Sequence, residues 1–194
     1  EIVRRIASRG HRRIALIRVP EESESGSDRQ VGFRTGITEA GIPDADAPIL
    51  KRSPESITRA FVDELLEAGM TAVVCERLAI ASAIHAVLLD SDRTIPRDLS
   101  VAALGGPRSA TESPEHDIDT RQPSPNWMTL KVPSQEMGSS GVRLALELLD
   151  APENAPLRTA LDCPISHGTT VGTVTPIRGT QSPPKSMRNP TVGE

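Results

Sequence analysis

The chain alternates short, continuous apolar runs with longer stretches in which apolar residues recur every three or four positions. Ile14, Ala15, Leu16 and Ile17 form one such run, the pattern of a strand buried on both faces of a parallel sheet. Residues 71–75 (TAVVC) and 99–104 (LSVAAL) repeat it. Shorter strands are predicted over 48–50, 127–132 and, near the end, 160–171. Between the strands the period changes. Ile2, Val3 and Ile6 stand at helical spacing within residues 1–9, and Gly10 supplies a stop. A helix is predicted over 29–40 with Val31, Phe33, Ile37 and Ala40 inward and Gly41 beyond its end. Ser53 suits an N-cap and Pro54 a first helical position, predicting a helix to residue 68 that buries Ile57, Phe61, Leu65 and Leu66. Residues 78–89 are almost wholly apolar, so that helix is expected to be covered on more than one side. Residues 135–149 are amphipathic, with Met137, Val142, Leu144, Ala145 and Leu148 on the apolar side.

Polar segments separate these elements. Residues 21–28 (EESESGSD) and 105–126 read as loops, and 176–194, rich in proline, serine and charge, as a disordered tail. Strands and helices that alternate through short links predict an α/β fold, a doubly wound parallel sheet with helices on both faces.

Composition narrows the function. Phe33, Phe61 and Trp127 are the aromatics in 194 residues, so the core rests on Leu, Ile, Val and Ala. So few aromatic faces argue against a stacking platform for single-stranded nucleic acid. A net charge of -4 gives no basic footprint for DNA. No apolar run reaches bilayer length, and no membrane partner is expected. Cys75 and Cys163 are far apart and read as small buried hydrophobes in a reducing cytoplasm. The nucleophile turn GxSxG, the zinc motif HExxH, a Walker lysine and the dinucleotide loop GxGxxG are missing from the sequence, so no enzyme and no cofactor is expected. His116, Asp117 and Asp119 lie close in sequence without a supported ligand geometry, and no metal is expected.

The wording of the segments carries a resemblance. Gly10-His11-Arg12-Arg13-Ile14-Ala15-Leu16-Ile17 comes first, then Arg29-Gln30-Val31-Gly32-Phe33 and Glu39-Ala40-Gly41-Ile42. Thr71-Ala72-Val73-Val74-Cys75, Ile95-Pro96-Arg97-Asp98-Leu99-Ser100-Val101 and Met137-Gly138 with residues 144–150 follow in order. The series resembles the effector-binding domain of LacI/GalR-family transcription regulators. That resemblance implies a two-lobed fold of the type I periplasmic-binding-protein kind, a small-molecule cleft between the lobes, a homodimer, and operator affinity altered by the effector. On this template, residues 1–128 are the C-terminal lobe, 129–162 a remnant of the N-terminal lobe, and 163–175 a return to the C-terminal lobe. The helix-turn-helix headpiece that touches DNA is expected outside these residues. Glu1 in place of Met suggests a partial or trimmed chain. The helix over 135–149 would then lack its partner sheet and expose its apolar side. A cytoplasmic location is expected.

The resemblance also places candidate effector-binding residues. Arg29 stands where the family has an arginine at the start of a helix facing the cleft. A guanidinium suits bidentate contact with hydroxyls or a carboxylate, and the helix N-terminus adds partial positive charge. Elsewhere the chain departs from the family. Glu76-Arg77-Leu78 stands where Ala-Asn-Asp is common, so Arg77 replaces a ligand-binding asparagine. Gly105, followed by Gly106-Pro107, stands where a carboxylate grips the ligand. Val132 replaces a glutamine or arginine, and Arg52 an aromatic that stacks on the ligand. Arg29, Arg52 and Arg77 around one cleft would select an anion such as a phosphorylated or carboxylated metabolite. A neutral sugar effector, and a degenerate cleft serving only dimerisation, stay open beside this. So does a periplasmic sugar-binding protein of a transporter, which shares the fold. His11 is read as a structural hydrogen-bonding group, His85 as an interface residue, and His167 is given no chemistry.

Overall fold

Residues that are apolar at consecutive positions need cover on both sides, and the fold supplies it with one central sheet. The computed structural model describes residues 1–105, 125–151 and 158–174. Its elements are α1 (Ile2–Ser8), β1 (Ile14–Arg18), α2 (Glu24–Glu39), β2 (Ile49–Lys51), α3 (Arg59–Glu67), β3 (Ala72–Cys75) and α4 (Leu78–Leu89), then β4 (Ser100–Ala103), β5 (Met128–Leu130), α5 (Ser134–Asp150) and β6 (Ile165–His167). The strands form a six-stranded sheet in the order β2-β1-β3-β4-β5-β6. β1 to β5 run parallel, and β6 pairs antiparallel with β5.

The register divides each strand between two cores. Ile49, Leu16, Val74, Ala102 and Met128 form one row across the sheet. With Ile14, that row packs against Ile2, Val3 and Ile6 of α1 and Phe33 and Ile37 of α2. The neighbouring row of Leu50, Ile17, Cys75 and Ala103 meets Phe61 and Leu65 of α3 and Ile80, Ile84 and Leu88 of α4. Successive strand side chains point to opposite faces, so both cores need the first four residues of β1, and every residue of β3 and β4, to be apolar or small. Gly10, Gly41 and Gly69 follow α1, α2 and α3 with positive φ, as expected of helix stops.

Several expectations are corrected. α2 begins at Glu24 because Ser23 caps it, its Oγ accepting the Gly26 N–H at 3.0 Å; residues 24–28, the larger part of the expected 21–28 loop, are therefore helix. Val31 is exposed because Phe33 and Ile37, one turn apart, set the buried side, and two residues from Phe33 lies the opposite side. Ser53 opens only a 3-10 turn, Pro54–Ser56. α3 starts after Thr58, whose Oγ1 accepts the Phe61 N–H at 3.3 Å. α4 buries one side, Ile80, Ala81, Ile84 and Leu88, with Ala79 and Ala86 exposed. Alanines leave little apolar surface to cover there. The last strand is confined to Ile165–His167. Cys75 is free and buried, and desolvation pushes its thiol pKa far up. Cys163 is exposed, in the irregular stretch before β6. The predicted disordered tail, and His116, Asp117 and Asp119, lie outside the described residues.

Candidate functional site at the carboxyl ends of the strands

From β1 the chain winds outward to β2 on one side, and β3 lies on the other. In doubly wound sheets the crevice for a ligand opens at such a switch point, beyond the carboxyl ends of the strands. Here those ends carry Arg18 as the last residue of β1, Val19 after it, and Glu76 after β3.

Glu76 is the centre of the arrangement. The Glu76 N–H donates to the Ile17 carbonyl at 2.8 Å, extending the ladder past β3. Its carboxylate is 1% exposed. A buried carboxylate is costly unless it is paired and hydrogen-bonded. Oε2 accepts the Val19 N–H at 3.0 Å, and Oε1 accepts Arg29 Nη1 at 2.9 Å. Arg18 Nε stands 3.8 Å from Oε2. Arg29 sits in the second turn of α2, beyond the helix end expected for it, so Glu76 rather than the helix terminus orients it. With 37% of its side chain exposed, Arg29 is anchored through one nitrogen and free to offer others to a ligand.

Arg18 lies beneath the first turns of α2. A Cβ on Gly26 would fall 2.5 Å from Arg18 Nη2 and 2.9 Å from Ser23 Oγ, so a side chain here would have to push the guanidinium or the capping hydroxyl aside. Arg18 Nη1 donates to Gln30 Oε1 at 2.6 Å. Glu22, ahead of α2, pairs with Lys51 at the end of β2.

The other sequence-predicted residues have separate surroundings. Arg52 stacks over the Phe61 ring, 4.7 Å from its centroid, and donates to the Lys51 carbonyl at 2.8 Å. Arg77 is exposed at the N-cap of α4. Gly105 is half-buried, with the Glu76 carbonyl 4.0 Å from where a Cβ would be. Val132 is exposed, and its carbonyl accepts the Ser134 N–H at 2.9 Å at the start of α5. Neither Glu76 nor Arg18 is among the sequence-predicted site residues. Both are charged residues closing an apolar strand at its carboxyl end, and the doubly wound fold makes that position informative. Among the described residues, no group of His, Cys, Asp and Glu could hold a metal ion, and no helix is long and apolar enough to cross a membrane.

A family model described as a periplasmic binding protein-like domain matches residues 3–170. In structure the chain is similar to a LacI family transcriptional regulator from Enterococcus faecium with bound ribose, with a TM-score of 0.69 and 21% identity over 90% of this chain and 62% of that one. It is similar to the transcriptional regulator CelR in its cellobiose complex, with a TM-score of 0.63 and 26% identity over 87% of this chain and 49% of that one. The transcription regulator CcpA of Lactococcus lactis gives 0.64 and 22%, over 88% of this chain and 59% of that one. The chain thus spans 49 to 62% of the length of these regulators. No curated protein matches it by sequence.

Proposed function

Because this chain belongs to the periplasmic binding protein-like family, we propose that it is the effector-sensing part of a LacI/GalR-type transcription regulator, binding a small polar metabolite and passing that binding on to operator affinity. The observation that carries the reading is the Arg29–Glu76 pair at the switch point of the sheet. A half-exposed guanidinium held by a buried carboxylate is a preorganised donor, and preorganisation lowers what binding costs in side-chain ordering. Glu76 is a positioning residue here, because its own oxygens are buried away from any ligand. Ribose and cellobiose, bound by the two similar regulators, make a neutral sugar the first class to test. Glu76 takes up the charge of Arg29, which weakens the case for three arginines selecting an anion.

In this reading residues 1–128 and 163–175 make the C-terminal lobe, and 129–162 belong to the N-terminal lobe across the cleft. DNA contact lies with a helix-turn-helix outside these 194 residues, and the regulator works as a cytoplasmic homodimer. The test is a thermal-shift panel of unphosphorylated pentoses, hexoses, disaccharides and organic acids on the full chain. One class raises Tm by several degrees through linkage, and Arg29→Ala removes that rise. A panel without any shift, or a shift that Arg29→Ala leaves intact, would overturn the reading.

A further inference from the structure

A second set of basic groups adjoins the Arg29–Glu76 pair. Between α2 and β2 a cleft of about 560 Å³ is lined by Arg18, Glu22, Ser27, Gln30, Arg34 and Lys51 among others. Arg34 is committed elsewhere, to Asp44 Oδ1 at 3.0 Å and the Ala47 carbonyl at 2.8 Å. Arg18 is not. Its side chain is 3% exposed, yet Nε and Nη2 have no hydrogen-bond acceptor. The nearest carboxylates stand off at 3.8 Å (Glu76) and 3.7 Å (Glu22), beyond hydrogen-bond reach. Buried donors left unmade carry their full desolvation cost, so the pocket gains when an acceptor arrives.

Glu22 is the carboxylate that Arg18 and Lys51 share. It is 64% exposed and stands outside any helix or strand, so it can swing out without disturbing the core. Its hydrogen bond and charge pairing with Lys51 hold its carboxyl below the usual range, as expected for an acid seated among cations.

We propose that Arg18 and Lys51 form an anion site for the phosphate group of a small metabolite, in which Glu22 is an internal stand-in that the phosphate displaces. A carboxylate already fills the seat and still leaves two Arg18 nitrogens, Nε and Nη2, without an acceptor. A phosphate brings more acceptor oxygens and a second negative charge to match two cations. The Ser27 hydroxyl and the Gln30 amide, which line the same cleft, are neutral donors for the remaining oxygens.

The experiment is calorimetric titration of the full chain with inorganic phosphate and, separately, with ribose 5-phosphate at low ionic strength. Glu22→Gln binds one of them at least about five-fold tighter than the wild type, and adding Lys51→Met abolishes the gain. Inorganic phosphate as the tighter probe identifies free phosphate as the ligand, and ribose 5-phosphate an ester. Lys51→Met leaves the effector response of the panel above intact, whereas Arg29→Ala removes that response and leaves phosphate binding, so the two sites fail separately. Both Glu22 and Lys51 are exposed, and melting curves confirm that the variants fold. No tightening in Glu22→Gln with either probe, or loss of phosphate binding in Arg29→Ala, overturns the proposal.

Discussion

At the scale of single residues, burial decides which charges matter. Glu76 offsets its desolvation through Val19, Arg29 and the nearby Arg18. Glu76→Leu removes that centre and leaves Arg18 buried without one of its two nearby carboxylates. Breaking a fully buried pair costs roughly 3–5 kcal/mol; with Arg29 partly in water, about 2–4 kcal/mol is expected here. Urea unfolding of the variant measures it, and a loss below about 1 kcal/mol, the scale of an exposed pair, would show that the pair is not structural.

His11 gives a pH dependence. The ring is buried, with Nδ1 2.9 Å from Thr71 Oγ1 and Nε2 3.3 Å from the Gly172 carbonyl. The neutral ring donates Nε2–H to Gly172, and its Nδ1 faces the Thr71 hydroxyl, whose one hydrogen is shared between Nδ1 and the Arg13 carbonyl at 3.2 Å. Desolvation lowers its pKa below 6.5, with the Gly172 hydrogen bond opposing and the Arg9 charge reinforcing the shift. Below pH 6.5 the unfolded chain therefore binds protons that the folded chain refuses. The stability present above that pH is lost progressively as pH falls toward the folded-state value. His85, desolvated where it meets the Trp127 ring edge-on, adds in the same direction. The paired carboxylates Glu22 and Asp98 titrate lower still. Unfolding free energies between about pH 7.5 and 5.5 fall for the wild type, and fall less for His11→Gln. Equal slopes would refute the assignment.

Arg29 was legible in the sequence because the motif around it fixes its place in the resemblance. Glu76 and Arg18 were not. Hydropathy marks both as polar breaks after a strand, and nothing local says whether such a residue turns to solvent or folds back under the next helix. That choice rests on Gly26, which leaves room for the Arg18 guanidinium, and the room exists only once α2 has docked.

At the scale of elements, caps and close approaches set the boundaries. Two candidate caps precede α3, and only the Thr58 side chain accepts a backbone N–H. Thr58→Ala should therefore cost about 1 kcal/mol, and Ser53→Ala only a few tenths. The reverse order in denaturant midpoints would put the helix start back at Ser53. The contact between α1 and α2 depends on Gly36, where a Cβ would lie 2.8 Å from Val3 Cβ. That atom sits on the backbone of a helix and cannot swing aside. Overpacking costs about 1–3 kcal/mol, while replacing a helical glycine returns about 1 kcal/mol. Gly36→Ala is thus a net loss of up to about 2 kcal/mol, and a stabilised variant would mean that α1 yields readily. The parallel strands were legible because burial on both faces demands unbroken apolar runs. β6 was overdrawn because an edge strand of half-buried and exposed residues leaves no period to mark its ends.

At the scale of the whole molecule, the layers are unequal. α1 to α4 cover the sheet with apolar side chains, whereas α5 buries Ser140 and no hydrophobic residue. Leu144 and Leu148 are half-buried, and Met137, Val142, Leu146 and Leu149 are exposed, Leu149 by 76%. A row of this kind is apolar surface of the sort that marks an interaction face, as the two-lobed template implies for a helix without its partner sheet. The 194-residue chain should bind a hydrophobic dye such as ANS under native conditions. Val142→Glu with Leu146→Glu should cut the signal by about half or more and shift Tm by no more than a degree or two, because exposed positions contribute little to folding. A chain that stays monodisperse without binding dye would mean that α5 is covered in solution. A large drop in Tm would mean the same, since those side chains would then be part of a core.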